Sequence, residues 1–354
     1  MSETAASYIA ARENAVIPTV RRPRVRAMVD GVELGGLFKA NITTDGFYKA
    51  DHFSATFALY ADGAKSLDFW SSATELLLDI QIQFEGERGW QSFIVGEADH
   101  INVNPTQGTV DLDGRDLSAR FIETKTQESF QNKTASEIVT IMAARHNPTF
   151  GITANVTATT TPVSRYYQID HTQETAGQFS RVTTEWDLMV YLAQREDFDL
   201  YMQGRVLNFH PKRPKDSSPF VVFWKQNNPL PVSNVIDLRT ERSLTLAKDI
   251  EVEVRSWNSK QAQSFKKVAR AIGAKSAGAS ASAKQRGTET QRYVIIRPNL
   301  TEAQAQDLAN RTLAELSAHE RNISWTMPGE FDLNARRQCR LTGTASSWDQ
   351  VYSI

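Results

Sequence analysis

Leu76, Leu78, Ile80, Ile82 and Phe84 alternate with Asp79, Gln81, Gln83 and Glu85. A period of two sustained over that length puts every apolar side chain of the set on one face of an extended chain, whereas a helix would scatter them around its cylinder. The stretch is therefore a strand with one dry face, and it needs a sheet to cover that face. Neighbouring segments repeat the pattern. Val25, Ala27 and Val29 alternate with Arg24, Arg26 and Met28, and Phe53, Ala55, Phe57 and Leu59 follow the same period. Asp30-Gly31 supplies the positive φ angles of a tight hairpin. With Trp90 to Val103 and Gly108 to Leu112 added, residues 22–114 are expected to hold five to seven strands and no helix, as in a small antiparallel barrel or sandwich.

Beyond residue 114 the period changes. Thr134-Ala-Ser-Glu137 is a capping box followed by Ile138, Ile141 and Met142 on one side, which predicts a short helix ending near Asn147-Pro148. A second box, Thr184-Glu-Trp-Asp187, opens a helix through Leu188, Tyr191 and Leu192, and a hairpin centred on Gly204 follows it. Residues 115–225 are read as an α/β insert. Strands return at Ser243 to Leu246 and at Ile250, Val252 and Val254, so a second β domain is expected over 226–354. It is interrupted at 260–292, where eight Lys and Arg face one Glu around GAKSAGASASAKQRG; this composition predicts a basic mobile loop that could serve an acidic partner. Thr301-Glu-Ala-Gln304 then opens the most regular helix of the chain, 301–319, with Ala305, Leu308, Ala309, Thr312, Leu313 and Leu316 on one stripe. Strands at Ile323 to Met327, Arg337 to Leu341 and Trp348 to Ile354 close the domain, and residues 1–21 form a polar N-terminal extension. The fold class is α+β, mainly β.

Chemistry is sparse. The 354 residues carry 40 Lys and Arg against 41 Asp and Glu, a net charge of −1, which offers no global basic field for nucleic acid or an anionic membrane. A single cysteine, Cys339, excludes an internal disulfide and a zinc cluster of cysteines, and its phase with Leu341 predicts a buried, inert thiol. No run is long and apolar enough to span a membrane, and the first 20 residues lack the pattern of a signal peptide, so membrane insertion is not expected. His52, His100, His146, His171, His210 and His319 stand singly, without the i, i+4 spacing of a metal site. The run Asp111-Leu-Asp-Gly-Arg-Asp116 superficially suggests a calcium loop, but its glycine falls at the fourth position and Ile122 occupies the twelfth. It reads instead as a strand end, with Asp116 capping a helix from Leu117 to Ile122. Nucleophile elbows, phosphate loops and dinucleotide fingerprints are absent from the sequence, so no catalytic, cofactor-binding or metal residue is nominated and no cofactor is expected. Two basic clusters, Arg21 to Arg26 and the 260–292 segment, read as solvated basic faces.

The segment Val110-Asp-Leu-Asp-Gly-Arg-Asp-Leu-Ser-Ala119, followed by Phe130-Gln-Asn-Lys-Thr-Ala-Ser-Glu-Ile138, resembles the baseplate hub proteins of phage tails, the relatives of phage late control D proteins and of the hub part of type VI secretion spike proteins. A strand ending in Gly-Arg-Asp, a short helix and a Thr-Ala-x-x-Ile helix form the recurrent pattern. Thr184-Glu-Trp-Asp-Leu-Met-Val-Tyr-Leu-Ala193, the hairpin Tyr201 to Pro211 and the late Ala- and Leu-rich helix extend it, so that the likeness covers about residues 22–354. The resemblance implies two tail-tube-like antiparallel β-barrel domains with the α/β insert between them. It also implies a homotrimer whose six barrels adapt a sixfold tail tube to a threefold spike.

On that resemblance the chain is expected to be a non-enzymatic structural hub of the virion tail baseplate, assembled in the host cytoplasm. Its expected partners are the tail spike protein, the distal tail tube protein, the tape-measure protein and other baseplate subunits, with DNA passing through the channel without specific binding. The spike is expected to be a separate chain. The rival reading is a tail-associated cell-wall-degrading hydrolase with active carboxylates in the insert; a hub of a secretion or gene-transfer particle is a third.

Overall fold

A computed structural model describes residues 23–29, 31–61, 65–84, 89–126, 128, 130, 132–160, 162–163, 165–167, 172–174, 183–212, 219–227, 230–243, 250–258, 263–271, 291–297, 300–330 and 333–354. The N-terminal extension and the middle of the predicted basic loop, 272–290, lie outside the described residues. The chain divides into two compact units. One comprises Met1–Ser218 with Asp332–Gln338 and Ser353–Ile354, the other Pro219–Phe331 with Cys339–Tyr352.

In the first unit, β1 (Arg24–Val29), β2 (Val32–Leu34), β3 (Leu37–Thr43), β4 (His52–Ala58), β5 (Leu77–Gln83), β6 (Gln91–Asn104) and β7 (Thr109–Asp116) make one antiparallel sheet in the order β2-β1-β5-β6-β7-β4-β3. The sheet curls until β1 and β3 approach one another, which encloses an apolar interior. Phe57, Leu59, Leu78 and Ile80, which the two-residue period assigns to the dry face, are fully buried there together with Leu112. Gly31, at φ +81°, makes the β1–β2 turn. One helix was not expected: α1 (Leu67–Ser72) lays Trp70 against Phe57 with ring centroids 6.4 Å apart. At six residues it is too short to show helical periodicity.

The insert belongs to the same unit and has its own core. It contains α2 (Ser118–Glu123), β8 (Lys125–Thr126), α3 (Ala135–Phe150), β9 (Thr153–Val156), β10 (Arg165–Tyr167), β11 (Thr172–Glu174), β12 (Thr183–Thr184), α4 (Glu185–Glu196), β13 (Phe198–Gln203) and β14 (Val206–Pro211). Both capping boxes form as read, Thr134 with Glu137 and Thr184 with Asp187. The amphipathic faces of α3 and α4 meet over Phe121, Ile138, Met142, Met189, Leu192, Leu207 and Phe209. Helix α3 runs past Pro148 to Phe150, beyond the expected stop. A proline so near the end removes only one backbone donor, and Gly151 in the left-handed region closes the turn by donating its N–H to the Asn147 carbonyl at 2.8 Å.

The second unit holds β15 (Phe220–Lys225), β16 (Val232–Ser233), β17 (Asp237–Arg242), β18 (Ile250–Asn258), β19 (Gln263–Ala271), β20 (Gln291–Ile296), α5 (Glu302–Ala318), β21 (Arg321–Thr326), β22 (Gln338–Thr342) and β23 (Val351–Ser353). The ladders are β16-β15-β22-β23, β17-β21 and β19-β18-β20, with β15–β22 and β18–β20 parallel. Residues 220–225, read from sequence as the end of the insert, thus pair inside this unit. Helix α5 lies on β18 and β19, burying Ala305 and Ala309 against Val252 and Val254. The basic segment read as a loop over 260–292 needs correction: Gln263–Ala271 is a strand paired with all nine residues of β18, because Phe265 and Ala269 supply apolar contacts to the α5 core that a count of charges overlooks. The chain is a mainly-β α+β protein.

Candidate functional site: the junction around Asp51, Asp116 and Arg336

Strand β7 ends in Gly114, Arg115 and Asp116, and each answers a separate need. A Cβ on Gly114 would lie 2.1 Å from the Glu97 carbonyl oxygen and 2.5 Å from the Phe53 ring, and one on Gly96 would lie 2.2 Å from the Arg115 carbonyl oxygen. The two glycines, on neighbouring strands, open the space that the buried Phe53 ring fills. Arg115 donates from Nε and Nη2 to both Asp99 oxygens at 2.6 Å and from Nη2 to Glu123 at 2.6 Å, tying β6 to α2. The hydrogen bonds that it donates to Asp99 hold the guanidinium above even its ordinary range.

Asp116 sits where the strand becomes the helix. Its Oδ1 accepts from the backbone N–H and the hydroxyl of Ser118, so the helix begins at Ser118, one residue later than expected, with Leu117 at the N-cap position. Its Oδ2 is buried without a hydrogen-bond partner. Burial pushes this carboxyl up to about 7; the Ser118 hydrogen bonds oppose the rise and the charge of Asp51 adds to it.

The Asp116 N–H donates to the Asp51 carbonyl at 2.9 Å, and the buried Asp51 carboxylate accepts from the Asp45 N–H at 2.9 Å and from Arg336 Nη2 at 2.9 Å to each oxygen. Burial raises the Asp51 carboxyl as well, against the pull of Arg336. The Arg336 guanidinium lies 4.7 Å from the Tyr201 ring centroid, on β13 of the insert. Arg336 belongs to a short strap, 333–338, that returns to this unit, and the Arg337 carbonyl accepts from the Ile354 N–H at 3.2 Å.

Tyr48 locks the same junction. It holds φ +71°, a region unfavourable for a side chain, and three bonds keep it there: its N–H to Leu200 O (2.9 Å), its hydroxyl to Phe198 O (2.6 Å), and its carbonyl accepting from Trp186 Nε1 (3.0 Å). Arg120 pairs with Glu97 and stacks 4.2 Å from the Phe150 ring centroid, joining β6, α2 and α3. The site therefore binds the sheet, the insert and the returning strap into one ion-paired joint. Asp116 is only 3% exposed, and Asp51, the charge that acts on it, is paired with Arg336.

Single spacing in the sequence does not keep all the histidines apart: His52 and His100 line one pocket with Asp99, Asp113 and Arg115. His146 Nε2 and Arg145 Nη1 hold the buried Glu185 carboxylate at 2.8 and 2.9 Å; His52 and His100 face Arg115 and Asp113 across the sheet; His210 lies 3.2 Å from the Tyr201 hydroxyl; His319 caps α5; His171 lies outside the described residues. Cys339 is buried with its thiol pushed up to about 11 by that burial. Asp111, from the calcium-like run, accepts from the Thr56 hydroxyl at 2.7 Å. Arg26 donates to Gln81 at 2.8 Å and lies 4.4 Å from the Trp90 ring, while Arg21 and Arg22 are outside the described residues. Among the described residues no group of three or more His, Cys, Asp or Glu could hold a metal ion, and no helix is long and apolar enough to cross a membrane. Sequence reasoning singled out Asp116 but missed Asp51, Tyr48 and Arg336; only the adjacency of Gly-Arg-Asp to a helix start hinted at a junction.

No family model and no curated protein matches the sequence. Solved structures do match. A tail protein from Neisseria meningitidis superposes with a TM-score of 0.62 at 14% identity over 93% of this chain and 89% of its own. The 43 kDa tail protein of prophage MuSo2 from Shewanella oneidensis gives 0.62 at 14% over 92% and 90%, and prophage tail protein gp18 from Listeria monocytogenes gives 0.52 at 10% over 90% and 84%. With so little identity and nearly complete mutual coverage, the likeness is one of architecture from end to end, and this chain has the fold of these phage tail proteins.

Proposed function

We propose that the chain is a non-enzymatic structural protein of a phage tail baseplate: a homotrimeric hub that joins the distal tail tube to the spike and leaves a channel for tape measure and DNA. The observation that carries this reading is the end-to-end likeness to tail proteins of nearly the same extent, 92–93% of this chain against 89–90% of theirs. The hub and its trimeric state come from the sequence motifs, above all the Gly-Arg-Asp strand end and the Thr-Ala-x-x-Ile helix, which fall at the joint and at α3. At that joint Arg336 is spent on Asp51 and Arg115 on Asp99 and Glu123, as suits a load-transmitting part. The net charge of −1 is compatible with DNA passing without being held.

Mass in solution tests it. Sedimentation of the purified chain, alone and with the spike protein of the same particle, should give a trimer in at least one of the two. A monomer under both conditions overturns the hub. Clearing of purified peptidoglycan by the chain would favour the cell-wall-hydrolase reading instead.

A further inference from the structure

Among the described residues, the β19-β18-β20 sheet has α5 on one face only. Its other face carries Glu251, Glu253, Arg255 and Trp257 from β18, Lys266, Val268 and Arg270 from β19, and Arg292, Val294 and Ile296 from β20, set side by side by the strand registers. The charges are layered. The Glu253 carboxylate is 0% exposed, with Arg255 Nε at 2.6 Å, Lys266 Nζ at 2.9 Å and Arg292 also upon it. Glu251 is 14% exposed and takes Arg270 Nε at 2.8 Å. The four cations keep between 46% and 69% of their side chains in solvent. Two carboxylates at the bottom and four cations on top leave an excess of two positive charges.

One cation would neutralise Glu253, so three around it are more than the buried charge requires, and their mutual repulsion is tolerated at this face. Next to them Ile296 is 74% exposed, Trp257 52% and Val294 45%. Trp257, Phe265, Ile296, Arg255 and Lys266 line a groove of about 330 Å³. An incoming molecule thus meets cations interleaved with aliphatic and aromatic surface at the two-residue spacing of a strand.

We infer that this face docks an extended acidic segment of another protein, one whose carboxylates alternate with apolar side chains. The carboxylates supply the charge that the cation layer lacks, and the apolar side chains cover Ile296, Val294 and Trp257. Nucleic acid would also answer the charge, but of the two rings in the groove Phe265 is packed against the α5 core and Trp257 stands exposed beside the aliphatic Val268, Val294 and Ile296, which suit a peptide better. The inference does not depend on the hub reading, because the face lies wholly within one unit and needs no second copy of the chain.

The test uses the full-length protein and three fluorescein-labelled probes: an alternating Glu-Leu-Glu-Val-Glu-Leu-Glu peptide, its counterpart with Lys for Glu, and oligothymidylate. The acidic peptide should bind, weaken with added salt, and lose at least about tenfold in affinity, about 1.4 kcal/mol, in Ile296→Asp and in Arg270→Glu. Both substitutions are at exposed side chains, and an unchanged melting temperature shows that the variants are folded. The inference is overturned by no binding of the acidic peptide at about 1 mM, by equal binding of the Lys peptide, or by affinity indifferent to both substitutions. Tighter binding of oligothymidylate, lost in Trp257→Ala, would make this a nucleic-acid face and overturn it too.

Discussion

Arg336 places Nη2 2.9 Å from both carboxylate oxygens of Asp51, a residue 285 positions earlier in the chain. The pair is nearly buried, with 10% and 8% of the two side chains exposed. Through it the strap at 333–338 is fastened to the loop that also carries Tyr48, and the sheet, insert and strap share one electrostatic joint.

Removing one partner of such a pair is costly because the other is left charged out of water. Arg336→Met should destabilise the protein by about 3 kcal/mol. The double substitution Asp51→Asn with Arg336→Met should recover part of that loss, since it leaves no uncompensated charge. Urea unfolding of the four proteins in the cycle measures this; purely additive losses would show that the pair is not coupled.

Asp116 sets a pH dependence of definite sign. Its carboxyl titrates near its ordinary value of 3.8 in the unfolded chain and at about 7 when folded, so the native state keeps the proton across that interval. Its contribution is complete below pH 3.8, is lost as pH rises through 7, and is constant above. Asp116→Asn keeps an oxygen for Ser118 and cannot ionise, so the variant should be more stable than the parent at pH 8 and show a shallower slope between pH 4 and 7. The raised carboxyl of Asp51 gives a slope of the same sign in both proteins, so the difference between their unfolding curves isolates Asp116.

Gly114 and Gly108 separate space from conformation. Gly114→Ala forces a Cβ into the Glu97 carbonyl and the Phe53 ring and should cost more than about 2 kcal/mol. Gly108 has φ +68° with open space around it, so Gly108→Ala should cost about 1 kcal/mol, the strain of the left-handed region alone. Equal losses in denaturant titration would mean that the sheet shifts to admit the methyl group.

These contrasts also mark what the sequence could disclose. Strand and helix identity was legible wherever a period repeated: β5 by its alternation, α3, α4 and α5 by their capping boxes and stripes. Local composition misled where pairing was decided at a distance. Strand β19 looked like a mobile loop because three of its nine residues are cationic, yet nine partners on β18 and the underside of α5 hold it. The joint was less legible still. Asp51, Tyr48 and Arg336 carry no motif; their roles come from burial and from a strap that returns across most of the chain, and neither leaves a local signature. Only the Gly-Arg-Asp end of β7 did, because steric need for glycine and a carboxylate at a helix start are local demands.

The corrected position of Lys266 sharpens the test of the second core. On α5, Ala305 and Ala309 are fully buried and Leu308, Leu313 and Leu316 partly so, against Val252, Val254 and Phe265. Leu308→Asp or Leu313→Asp puts an unpaired carboxylate at that apolar contact and should cost several kcal/mol. Ala309→Asp should cost at least as much, because the site is closed and the larger side chain must also be accommodated. Lys266 is no longer the loop residue that its neighbourhood in sequence suggests, yet Lys266→Ala should still change stability by no more than about 0.5 kcal/mol. The reason is now specific: Glu253, fully buried, keeps Arg255 and Arg292 when Lys266 is gone, so no charge is stranded. Thermal melts of the four variants decide the matter. If Lys266→Ala lowers the midpoint as far as Leu308→Asp does, the cation layer supports the fold rather than standing above it, and the spare charge inferred for the open face is not spare.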